Sequence, residues 1–208
     1  RRQACSNNLK QIGLGMHMFA DSQRGSFPSA IVDADGQPLL SWRVAILPYL
    51  EEAALYEEFH LDEPWDSPHN LALVERMPAV FACPSGDLPP GMTTYLAAAG
   101  PGMALDEPTR KGRFASVPLR EITDGTSKTI LVVEAGHNQA VPWTKPEEIT
   151  VDPGRATEGL LGSASSHAGG LRVALFADGH VEGVGDDIDP EVFTALLTRS
   201  GNETLPAD

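Results

Sequence analysis

The sequence predicts an α+β domain in which a long amphipathic first helix covers a mostly antiparallel sheet, with helical and loop insertions between them. Three observations carry this. Cys5, Leu9, Ile12, Met16 and Phe19 recur at helical spacing in the opening segment. Short β-branched or apolar runs bounded by Gly and Pro dominate the second half of the chain. Asp178-Gly179 stands between two of those runs as a two-residue hairpin turn.

The first helix runs from Ala4 to Ser22. Gly13 and Gly15 weaken it but flatten its surface. Arg1 and Arg2 sit poorly at a free helix N-terminus, where the dipole repels cations, so the helix reads as the continuation of one that began upstream. Gln23 to Leu40, rich in Gly, Ser, Pro and Asp, reads as a loop. Ser41 caps a second helix through Glu58, which Pro48 kinks or divides. Ser67-Pro68 opens a third helical stretch to about Arg76. Ala79–Ala82, Thr93–Ala98, Thr129–Glu134, Leu171–Ala177 and His180–Val184 read as strands. Asp189-Pro190 starts a last helix, Glu191 to Arg199, and Gly201 ends it. The chain is one domain over 1–208: the opening helix (1–22), a helical and loop insertion (23–90), a sheet region (91–188), and a C-terminal helix and tail (189–208).

The charge balance, 15 basic against 29 acidic residues, removes the cationic footprint that nucleic-acid binding or docking on anionic lipid needs. It leaves divalent cations open. No apolar run approaches the roughly 18 residues of a membrane helix. The chain begins without Met and reads as a fragment. Cys5 and Cys83 form no C-x-x-C, so zinc-ribbon and thioredoxin-like readings fail. A disulfide between them and two buried free thiols both remain open at this stage. The disulfide would close a loop of about 80 residues and contribute up to about 4–5 kcal/mol on the chain-entropy argument.

The stretch CSNNLKQIGLGMHMFAD (Cys5 to Asp21) resembles the helix that follows the membrane segment in a bacterial family of type IV pilin-like, or pseudopilin-like, proteins. SWRVAILPYLEEAALYEEF, PWDSPHN, FACPS, TTYLAAAGP, ITDGTSKTILVVEA and VPWTKPEE are similar to further blocks of that family. SHAGGLRVALFADGHV resembles its C-terminal H-x9-D-G signature, although ten residues, Ala168 to Ala177, separate His167 from Asp178 here; a bulge in the strand or its approach would absorb the extra one. The resemblance implies a prepilin-type cleavage and methylation signal and an apolar anchor upstream. It implies an extracytoplasmic head, periplasmic or at the cell surface. It also implies a structural role in a type IV pilus or type II secretion apparatus, with other pilin-like subunits as partners through the first helix. The expected function is assembly, not catalysis. A glycan- or metal-binding module of the same fold is the alternative, and a serine or metal-dependent hydrolase a further one.

No cofactor is required by this reading; Ca²⁺ is the candidate ion. Asp124, Glu134, His137, His167, Asp178 and His180 fall at strand ends or turns, where carboxylates suit Ca²⁺ and imidazoles a transition metal. Asp33-Ala34-Asp35-Gly36 carries part of an EF-hand-like spacing without its closing Glu. Ser163, Ser165 or Ser166 with His167 and Asp178 invites a triad reading, but no nucleophile elbow is present. Trp143 and Lys145, in a Pro-bounded loop, would form a binding face with His167 and Asp178. Glu134 ends an apolar strand, so its burial calls for a partner, with Lys145, Arg172 or a His as candidates.

Overall fold

The computed structural model describes residues 2–106, 108–151, 167 and 169–201. Helix α1 spans Arg2–Ser22 and buries the predicted stripe of Cys5, Leu9, Ile12, Met16 and Phe19. Its two inner glycines let neighbours approach closely. A Cβ on Gly13 would lie 2.7 Å from Leu175 Cδ1, and one on Gly15 would lie 3.0 Å from Leu50 Cδ2. The helix ends where Arg24 and Gly25 take positive φ, and the Gly25 N–H returns to the Ala20 carbonyl at 2.8 Å.

The segment expected to be a loop holds two strands, β1 (Ser26–Val32) and β2 (Pro38–Ser41). Pro28 disguises the first, because proline donates nothing to a ladder. The register shifts between Pro28 and Ala30, and Ser29 there donates to the Leu105 carbonyl at 3.1 Å. The second predicted helix is broken into α2 (Trp42–Ala45), a 3₁₀ turn Leu47–Tyr49 around Pro48, and α3 (Ala53–Glu58). The third is a single turn, α4 (Pro68–Leu71), capped by Ser67, followed by a 3₁₀ turn Val74–Arg76. Ala79–Phe81, read as strand, is a 3₁₀ turn that starts after Pro78 and carries Phe81 into the core.

Thr93–Ala98, read as one strand, belongs to three short ones: β3 (Met92–Thr93), β4 (Tyr95–Leu96) and β5 (Ala98–Ala99). They are followed by β6 (Thr109–Lys111), β7 (Phe114–Pro118), β8 (Ile130–Glu134), β9 (Val141–Pro142) and β10 (Ile149–Thr150). The last elements are β11 (Leu171–Phe176), β12 (Val181–Gly185) and α5 (Pro190–Leu197), whose N-cap is Asp189. Two antiparallel sheets result, β2-β1-β7-β6 and β12-β11-β8-β4. Strand β3 pairs antiparallel with β9, and β5 pairs parallel with β10.

Helix α1 packs on both larger sheets, against β1 in one and β11 and β12 in the other. Strand pleating divides the second sheet between two cores. Val132, Val173 and Leu175 join the α1 side, whereas Val133, Ala174 and Phe176 face Phe193 and Leu197 of α5.

Two local expectations change here. The β11–β12 turn has three residues, not two. Phe176 and His180 are opposed, Ala177 to Gly179 form the loop, and Gly179 takes φ +93°. Strand β11 pairs with β12 without a break, so it holds no bulge to absorb the extra residue after His167. The irregularity lies across the sheet in β8, where Leu175 pairs with Val132 and Phe176 with Ile130. Leu131 is the skipped residue, and both it and Val132 therefore reach the α1 core.

Candidate functional site

The candidate site forms where the start of α1, the end of β8 and the loop after Phe81 converge. Cys5 lies in the opening turns of α1, on its buried face. Cys83 follows the Ala79–Phe81 turn, and the two form a disulfide with Cα atoms 5.4 Å apart. Glu134 is the last residue of β8, two positions after Val132, so the pleat sends its side chain toward α1. It is 2% exposed. Its Oε2 lies 2.8 Å from His167 Nε2, so of the three candidate partners it is a histidine that meets the carboxylate. On the other side of the ring, His167 Nδ1 lies 3.3 Å from Ser85 Oγ. The Ser85 N–H donates to Cys83 Sγ at 3.4 Å, and its hydroxyl lies 3.9 Å from Cys5 Sγ. Tyr95, opposite Glu134 across the β4–β8 ladder, has its phenol pKa pushed up, first by burial and then by the charge of Glu134.

A carboxylate, an imidazole and a hydroxyl thus stand in line, but with other partners than the sequence proposed. Glu134 takes the orienting position assigned to Asp178. Ser85 takes the hydroxyl position, while Ser163, Ser165 and Ser166 lie outside the described residues. The arrangement can relay a proton between Ser85 and Glu134 through the ring. With the disulfide reduced, it can also offer N, O and S donors to a metal ion. Among the described residues, Cys5, Cys83, Glu134 and His167 are the one group of three or more ligand-type side chains clustered this closely, with donor atoms within 4.8 Å of one another.

The remaining candidates lie elsewhere. Asp178 accepts from the His180 N–H at 3.0 Å and its Oδ1 lies 2.6 Å from His180 Nδ1, forming a closed unit at the β11–β12 turn. Burial works to raise the Asp178 pKa, but the hydrogen bonds and charge of His180 outweigh it and hold the carboxyl below the usual aspartate range. That turn abuts the Thr126–Thr129 end of β8, opposite to the end that carries Glu134. Asp178 and His180 therefore do not join the His167 site. Asp124 accepts from the Gly201 N–H at 2.7 Å and ties down the chain after α5. Asp33 spends its carboxylate on the N–H groups of Asp35 and Gln37, as an internal turn rather than a cation loop. His137 sits beside Gly86, on which a Cβ would lie 2.7 Å from its Nε2.

Trp143 is fully buried, stacked on Phe81 at 5.6 Å with its Nε1–H donated to the Val74 carbonyl at 2.9 Å. This corrects the expected binding face: the ring anchors a loop in the core and offers no open platform. Lys145 pairs with Glu147 and lies 5.6 Å over the ring of Trp65.

Sequence reasoning missed one buried constellation. Arg43 is fully buried and donates to Ser41 Oγ, the Tyr95 carbonyl and Glu148. Glu148 also accepts from Trp42 Nε1 at 2.9 Å and the Ala97 N–H at 2.6 Å, and it borders a cavity of about 230 Å³. The only signal was Arg43 beside Trp42 at the start of the second predicted helix. Ser85 was missed because Pro-Ser-Gly reads as a plain turn.

The fold and the site define an α+β domain with a helix laid across two antiparallel sheets and a buried, disulfide-bonded cluster beneath the helix's first turns. The chain belongs to a family described as proteins of unknown function (DUF1559), whose model matches residues 1–158. No curated protein and no solved structure matches it.

Proposed function

We propose that this chain is the extracytoplasmic head of a pilin-like assembly subunit, working by association with further subunits rather than by catalysis. The observation that carries the reading is α1 itself. Its inner face is sealed across both sheets, yet its outer face exposes Leu14 at 62% and Met18 at 43%. These two border a groove of about 630 Å³ whose floor includes Tyr49, Leu50 and Val80 and whose lining also carries Gln11, Glu51 and Glu52. Leu14 and Met18 lie one turn apart, so with the groove they form a contiguous apolar patch, the kind of surface that marks an association site, where a lone exposed side chain would not. Head-to-tail contacts between identical subunits then build an open polymer. The disulfide supports placement in an oxidising compartment, and the acidic surface does not favour nucleic acid or anionic lipid.

The test uses the full-length protein in the bacterial envelope. A photo-crosslinking amino acid replaces Leu14 or Met18, and an exposed position outside the groove, Glu57, serves as control. The expected result is a ladder of crosslinked multimers from positions 14 and 18 only. Monomer alone from both groove positions, with the protein folded and exported, overturns the proposal.

A further inference from the structure

We propose that the reduced form of this protein binds one Zn²⁺ through Cys5, Cys83, Glu134 and His167, so that one buried cluster holds either a disulfide or a metal ion. The inference is independent of the assembly role.

The geometry comes first. Ligand bonds of about 2.1–2.3 Å to a tetrahedral zinc put donor atoms about 3.4–3.8 Å apart. The four donors here already lie within 4.8 Å of one another. Side-chain rotations of about 1 Å bring them to that spacing once the S–S bond is open. The cysteine Cα separation of 5.4 Å needs no backbone change. All four side chains are buried. Three are mounted on firm supports: Cys5 on α1, Glu134 at the end of β8, and Cys83 behind the Ala79–Phe81 turn.

The donor chemistry selects the metal. Two thiolates with one imidazole and one carboxylate suit Zn²⁺ and do not suit Ca²⁺, which takes oxygen ligands. Supporting contacts are also present. His167 Nε2 faces the same space as the Glu134 carboxylate and would be the binding nitrogen, while Nδ1 faces Ser85 Oγ outside the ligand set. Such contacts fix ring orientation in metal sites. The Ser85 N–H on Cys83 Sγ would offset part of a thiolate's charge.

The conversion balances with a dithiol as reductant. One of its thiolates attacks a sulfur of the Cys5–Cys83 bond, which breaks and leaves a mixed disulfide. The reductant's second thiolate resolves it. The reductant departs as a disulfide, and Cys5 and Cys83 gain the two electrons and two protons. Zn²⁺ then displaces both thiol protons to solvent.

The test compares oxidised protein with protein reduced by a dithiol that is removed anaerobically. Each is titrated with Co²⁺ as a spectroscopic probe, followed by displacement with Zn²⁺, while circular dichroism follows the fold. The expected result is one Co²⁺ per reduced chain with a thiolate charge-transfer band, and none per oxidised chain. Glu134→Gln and His167→Ala should each weaken binding at least tenfold. If reduction loosens the fold, Zn²⁺ should restore it. The proposal is overturned by no uptake in the folded reduced chain, by equal uptake in the oxidised chain, or by unchanged affinity in both variants. Failure of Zn²⁺ to restore a fold lost on reduction also overturns it.

Discussion

Arg43 Nη2 and Glu148 Oε2 meet at 3.0 Å although 105 positions separate them in the chain. The contact joins α2 to the segment just before β10. Burial pushes the Glu148 pKa up, while Arg43, the Ala97 N–H and Trp42 pull the other way. A guanidinium keeps its charge even when buried, so each partner depends on the other for compensation.

Breaking this pair is therefore expected to be costly. Glu148→Ala, which strands the Arg43 charge, should destabilise the protein by about 3–5 kcal/mol. Replacing both residues with Met should recover much of that loss, because a buried ion pair need not outperform apolar packing. Urea midpoints of the wild type, the single variant and the double variant measure it. A single variant within about 0.5 kcal/mol of wild type, the range of an ordinary surface change, would discard the argument.

Gly13 sets how closely α1 rests on β11. Gly13→Val should cost about 1–3 kcal/mol, because its side chain would run into Leu175 inside a packed core. The penalty should shrink in a Leu175→Ala background, where the obstructing methyl is gone. A double-mutant cycle by chemical unfolding reads the coupling, and additive effects would show that the two positions do not meet.

The Asp178–His180 unit predicts a pH effect with a definite sign. The folded Asp178 pKa is depressed, so the stability it contributes is present above the ordinary aspartate pKa and is lost as pH falls through the lowered folded value. The window lies below about pH 4. With Asp178 and His180 a third or more exposed, the effect on global stability is small. The direct measurement is a carboxyl-carbon NMR titration. Asp178 should titrate below ordinary aspartate in the wild type and higher in His180→Ala. Identical titration in both proteins would refute a contribution from the His180 ring; the His180 backbone N–H, which also lowers the Asp178 pKa, is kept in both.

Much of the fold could be read from periodicity, and its gaps have local causes. The Cys5-to-Phe19 stripe was legible because helical spacing survives two glycines. Strands β8, β11 and β12 were legible because apolar, β-branched runs stand between clear turns. Strand β1 was not, since Pro28 and a bulge at Ser29 broke the pattern. Thr93–Ala98 gave no hint that it crosses between three pairings, because partner choice is non-local. The burial of Glu134 followed from its place on an apolar strand. The Ser85 contact could not be anticipated, since loop closure brings the Pro-Ser-Gly turn to His167. Trp143 looked the same in sequence whether it lined a surface or filled the core; only packing on Phe81 decides it.

The Cys5–Cys83 link has a mechanical corollary. Cys5 sits near the beginning of a rod that both larger sheets rest upon. A pull entering from that end passes into the loop after Phe81 through a covalent bond before any strand is sheared. Peeling the rod from the sheets would then require dragging that loop along, with Phe81 and the Trp143 ring stacked on it. In the thiol form the same pull would meet only side-chain packing, so the redox state of one bond sets how firmly the rod is moored.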